Sequence, residues 1–138
     1  MVKRKKNKHE FMFPDPVPSY YHNSHFKLEL KESAIKNAGQ GVFTLEDIPK
    51  DTLIDHYLGT YQTIPTSKYY FHIKDGFGID AGTYPRCYMG MVNDSVHSNF
   101  QNNCTFVVDE NDVSVYSSLD IKAGDELFIS YGCSYWIK

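Results

Sequence analysis

Ile121-Lys122-Ala123-Gly124-Asp125-Glu126-Leu127-Phe128-Ile129-Ser130-Tyr131-Gly132 is the stretch on which the reading of this chain turns. A Lys-Ala-Gly-Asp turn leads into an apolar run, and the run ends on Tyr-Gly. Leu127 to Tyr131 reads as the last strand. Taken alone, Tyr131 is a core tyrosine closing a strand. Three pieces upstream change its weight. Ala38-Gly39-Gln40-Gly41-Val42-Phe43 comes first, then Asn93-Asp94-Ser95, then Asn102-Asn103-Cys104. Paired glycines let a backbone turn with positive φ and let a ligand approach the main chain. With no third glycine and no helix behind them, they are not a dinucleotide fingerprint. Asn, Asp and Ser are also ordinary turn residues, so the middle pieces alone read as Asx-type loops.

The chain has 138 residues, 41% of them hydrophobic and 15% aromatic. That length predicts one domain, which buries roughly 68% of its unfolded surface. Eleven tyrosines suit a channel that must be apolar and hydrogen-bonding at once, or simply a β-rich core. The net charge of −3 is uneven, because Lys3, Arg4, Lys5, Lys6 and Lys8 carry five of the 14 basic residues. The remainder holds 9 basic against 17 acidic residues, or −8. An acidic body attracts basic partners and repels DNA, so no direct DNA binding by the core is expected. The basic end reads either as a nucleic-acid or nuclear-address segment or as a solvated tail. Cys87, Cys104 and Cys133 form neither a disulfide framework nor a zinc signature, which points to a reducing, intracellular setting. No apolar run approaches transmembrane length, and no secretory leader is expected.

Residues 1–25 read as a basic, Pro- and aromatic-rich tail, and residues 26–138 as one folded unit. Pro14, Pro16 and Pro18 favour an extended strap, which Tyr20, Tyr21 and Phe26 would pin to the body. Strands are predicted at Phe26–Leu30, Leu53–Leu58, Tyr69–Ile73, Phe77–Ile79, Thr105–Val108 and Val113–Tyr116. Lys74-Asp75-Gly76 and Asp109-Glu110-Asn111-Asp112 mark hairpin turns. The turn after Pro65 and Tyr84–Val92 are the candidate short helices. The fold class is mainly β, with small sheets, long functional loops and few short helices.

In this order, over Phe26 to Trp136, the motifs resemble the SET domain, the fold of most protein lysine methyltransferases. The resemblance implies several small β-sheets and a knot-like C-terminal threading. Asn93-Asp94-Ser95 and Asn102-Asn103-Cys104 are similar to the family's N-H-S-C-x-P-N-C segment, with Asp94 in place of histidine and a longer loop between the halves. Ile121 to Gly132 is similar to its I-x-x-G-E-E-L-T-x-D-Y-G, departing at Asp125, Phe128 and Ser130. By resemblance, Tyr131 is catalytic and also touches the cofactor, S-adenosyl-L-methionine. Gly39, Gln40, Gly41, Asn93 and Asp94 would line that cofactor. Tyr57, Tyr69, Ile129 and Trp136 would form the target-lysine channel. Ile129 has no hydroxyl to hold a water, which implies methylation beyond the first methyl. The ending Ser130-Tyr131-Gly132-Cys133-Ser134-Tyr135-Trp136 is similar to that of a compact algal-virus SET domain.

The resemblance implies transfer of a methyl group to a lysine ε-amine of a basic protein or peptide, a histone tail being the first expectation. It implies no metal and no membrane partner, and a nuclear or host-nuclear setting. It leaves open whether the chain works alone or as a homodimer. The alternative is a catalytically inactive SET-like module that binds a basic peptide or assembles with partners, motivated by Asp94.

Overall fold

The computed structural model describes residues 18–132. The basic end and Trp136 lie outside the described residues. The fold is mainly β, as expected, with ten strands in four small sheets and a single 3-10 turn, and no α-helix among the described residues.

Alternation and turn chemistry account for the three hairpins. Strand β2 (Leu28–Glu32) pairs antiparallel with β3 (Gln40–Thr44), Leu28 facing Thr44 and Glu32 facing Gln40. Their connection reverses through Asn37 and Gly39, both at positive φ. In the second hairpin, β6 (Tyr70–Lys74) meets β7 (Phe77–Asp80) across Asp75-Gly76, with Gly76 at φ +71. That is the Asp-Gly turn expected from the sequence. In the third, β9 (Cys104–Asp109) meets β10 (Asp112–Ser117) with Asp112 opposite Asp109. The loop is therefore only Glu110-Asn111, Glu110 taking positive φ. Strand β4 (Leu53–Tyr57) completes the order β4-β10-β9, and β5 (Thr60–Gln62) completes β5-β7-β6.

Three short strands were not anticipated, β5 being one of them. β1 (Tyr20–Tyr21) lies parallel to β8 (Arg86–Cys87), with Tyr20 opposite Arg86. Tyr84–Val92 is helical only over Tyr88–Met91, because β8 takes up its beginning. The turn after Pro65 forms no helix; Ser67 and Thr66 are instead held by the Asp80 carboxylate. The first predicted strand begins at Leu28 rather than Phe26.

The larger correction concerns the C-terminal stretch. It is not a continuous strand, because its hydrogen-bond partner changes every few residues. Ile121 exchanges bonds with Ile48, and Leu127 N–H donates to Val42. Ile129 N–H then donates to Asn93, while the Phe128 carbonyl accepts from Asn103 and Cys104. Phe128 thus bridges Asn93 on one side and Ile129 bridges Cys104 on the other, both in parallel sense. Asn93 and Cys104 are the two ends of one loop, so the stretch passes beneath that loop. This is the threading expected from the resemblance. Asn103 fastens it with its side chain: Nδ2 donates to the Glu126 carbonyl at 3.0 Å and Oδ1 accepts from Phe128 N–H at 2.9 Å. Leu127 and Ile129 enter the core with Val42, Ile54, Ile79, Val92 and Val115. Burying each such side chain is worth about 1.5–3 kcal/mol.

Candidate active site

The threaded stretch, the glycine turn and the β6–β7 hairpin enclose one cleft of about 550 Å³. At one end are the turn residues Lys36, Asn37, Gly39 and Gln40, with Asn93 and Asp94. At the other are Tyr57, Tyr69, Phe71, Phe106 and Tyr131. Met89 and Met91 form part of the wall. Residues from both ends of the sequence reach this cleft because the threaded stretch carries Tyr131 under the loop that presents Asn93.

The turn end is polar and built from backbone. Gly39 takes φ +74, and a Cβ placed on it would meet nothing, so the main chain there is open to a ligand. Asn93 Nδ2 donates to the Gln40 carbonyl at 3.0 Å and lies 3.4 Å from Glu126 Oε2. Glu126 is 5% exposed. Its Oε2 also accepts from Ser33 Oγ at 2.7 Å, and its Oε1 from Ala34 N–H at 2.9 Å. A buried carboxylate needs such donors, and this one ties the 33–39 turn to Asn93. Gly41 serves the same contact. A Cβ on it would overlap the Glu126 carboxylate, and Gly41 does not line the cleft.

The far end is an aromatic cage. The Tyr57 ring lies 5.8 Å from Phe71 and 5.9 Å from Phe106, and Phe71 meets Phe106 edge-on at 4.7 Å. Faces and edges in this arrangement suit an alkyl ammonium chain. Tyr57 donates its hydroxyl proton to the Tyr69 carbonyl, and burial drives its pKa well above the usual tyrosine range. It is a neutral phenol at physiological pH. Tyr131 donates its hydroxyl to the Val92 carbonyl at 2.6 Å. Each phenol oxygen keeps acceptor capacity after donating. Behind Tyr69 stands Arg86, its guanidinium 4.3 Å from the Tyr69 ring and 4.2 Å from that of Tyr84.

Of the residues singled out in the sequence, Gly39, Gln40, Asn93, Asp94, Tyr57, Tyr69 and Tyr131 meet in this cleft. Ile129 does not line it; it is 1% exposed and sits in the core. Trp136 lies outside the described residues. Phe71, Phe106, Lys36 and Glu126 were missed. Phe106 sits in an alternating strand where it resembles any core residue. Glu126 was part of a recognised motif, but its partners at Ser33 and Ala34 are remote in sequence.

The SET domain family model matches residues 39–132. The chain therefore belongs to the SET domain family, whose members are generally protein lysine methyltransferases using S-adenosyl-L-methionine. No curated protein matches the chain significantly.

The cleft fits that cofactor. It pairs an open glycine backbone and a carboxamide with a cationic Lys36 at one end. Those groups suit a ligand bearing an ammonium and a carboxylate.

Proposed function

We propose that this protein transfers a methyl group from S-adenosyl-L-methionine to a lysine ε-amine of a basic protein or peptide, with a histone tail as the leading candidate. The observation that carries the reading is the junction, in one cleft, of a polar glycine turn and a cage of tyrosines and phenylalanines.

Gly39, Gln40 and Asn93 would hold the amino-acid part of the cofactor, and Lys36 would face its carboxylate. When bound, the cofactor supplies an electrophilic methyl on a sulfonium. The nucleophile must be a neutral amine. At pH 7.4 only about 0.1% of an ordinary lysine is unprotonated, given its pKa near 10.4. An aromatic, dry channel disfavours the ammonium, and a neighbouring cation lowers the pKa further. Tyr57, Phe71 and Phe106 would exclude water from the side chain. Tyr131 would orient the amine through its phenol oxygen. Alignment then does most of the work.

The acidic body favours a basic substrate by long-range attraction. A nuclear or host-nuclear setting follows the same reading, whether the chain works alone or as a homodimer. The deciding experiment is transfer of labelled methyl to histones and other basic proteins, run beside Tyr131→Phe. Transfer that falls about a hundredfold in the variant supports the assignment. Tight cofactor binding without transfer to any substrate would favour a binding module instead.

A further inference from the structure

Asp94 stands where the family motif has histidine, and the residue is 7% exposed. Three donors converge on it. Oδ2 accepts from the Tyr131 backbone N–H at 2.8 Å. Oδ1 accepts from Val96 N–H at 2.9 Å and from Asn102 Nδ2 at 3.3 Å. Asn102 in turn accepts Ser95 N–H at 2.9 Å. The loop and the threaded stretch beneath it are therefore joined through one carboxylate. On the next residue along, Ile129 N–H donates to the Asn93 carbonyl, and the Tyr131 hydroxyl donates to Val92. Residues 92, 93 and 94 thus hold Tyr131 at its phenol, at the backbone two residues before it, and at its own amide.

We infer that Asp94 is a positioning residue, which sets the backbone of Tyr131 and through it the phenol, rather than a contact for the cofactor. The inference rests on the proposed methyltransfer for its kinetic consequence, but not for its structural one. A carboxylate suits this place because it accepts only. Each of its oxygens faces an N–H donor, and it needs no proton of its own. Histidine offers at most one acceptor nitrogen and cannot serve Val96, Asn102 and Tyr131 together. The long loop, Val96 to Gln101, explains the need. Its two ends must be closed on each other by Asn102 and, at the same time, anchored to the stretch passing below. A buried charge is tolerable here because two of the donors are backbone amides fixed by the fold.

Asp94→Asn tests this. The substituted amide has one acceptor oxygen; turned to the two donors at Oδ1, it leaves its NH2 facing the Tyr131 amide, so that bond is the one lost. Hydrogen exchange at the Tyr131 amide should quicken, whereas cofactor affinity measured by calorimetry should stay within about twofold. Turnover should fall about a hundredfold, and in a Tyr131→Phe background the same substitution should change the rate by no more than about twofold. Asn102→Ala removes the loop-closing donor to Asp94 and the acceptor for Ser95 N–H, and should leave the Tyr131 amide protected. If Asp94→Asn does not fold, Asp94→Glu, which keeps the charge but displaces the oxygens, is read in the same way. The inference is overturned if Tyr131 exchange is unchanged. It is equally overturned if cofactor affinity falls as much as turnover, or if the losses add in the double variant. Failure of the wild-type protein to transfer methyl would overturn the proposed function while the exchange result still decides the role of Asp94.

Discussion

The place where a Cβ of Gly41 would stand is occupied by the carboxylate of Glu126, 85 positions later in the chain. The second glycine of the Gly-Gln-Gly motif is thus a packing requirement between the first hairpin and the threaded stretch. Gly39 is different: it has open space but a left-handed backbone. Gly41→Ala should lower the stability of the cofactor-free protein by about 1–3 kcal/mol through overpacking. Gly39→Ala should cost about 1–2 kcal/mol through strain at positive φ. Thermal melts without cofactor check both. A Gly41→Ala protein that melts like the wild type would return this glycine to a purely ligand-facing role.

Tyr57→Phe removes the donor to the Tyr69 carbonyl while keeping the ring contacts with Phe71 and Phe106. Leaving that carbonyl unsatisfied should cost about 1–3 kcal/mol of stability. The cage keeps its shape, so substrate affinity should change little while turnover falls. Denaturant melts and separate determination of kcat and KM check this; a rise in KM alone would contradict it.

Acid stability should depend on Asp80. Burial raises its pKa, but bonds from Thr66, Ser67 and Gly82 outweigh that and hold it below the usual carboxylate value. Because the folded pKa lies below the unfolded one, near 3.9, the charged form stabilises the fold above that pH. The contribution is lost as pH falls toward the folded pKa. Asp80→Asn should therefore destabilise the protein at neutral pH and flatten the loss of stability below about pH 4. Melts from pH 2 to 7 would show the change in slope; parallel curves would refute it.

The buried thiols should be inert. Burial pushes Cys87 up to about 11 and Cys104 up to about 12. The thiolate is the reactive form, so iodoacetamide at pH 8 should label neither in the native protein and both after denaturation. Peptide mass spectrometry reads each site separately. Rapid native labelling of either would show that its surroundings open.

Local features were legible because local chemistry decides them. The Asp75-Gly76 hairpin and strand Leu53–Tyr57 follow from turn residues and alternation, which act within a few positions. Leu127 to Tyr131 has the same apolar pattern, yet it forms no strand. Its periodicity reports burial, and burial here comes from threading between Val42, Asn93 and Cys104 rather than from one partner strand. Ile129, singled out from its place in the motif, is buried in the core. A stretch that changes partners at each step does not keep a strand's alternation.

The sequence by itself determined the family, the mainly β class and seven residues of the cleft, because its short motifs keep their order. Tertiary structure alone decided how those residues divide the work. Gly41 yields to Glu126, Asp94 grips the Tyr131 amide, and Phe71 and Phe106 complete a cage around Tyr57. Each of these pairs is remote in the chain, and excluded volume and hydrogen-bond direction act only once the fold has brought its members together.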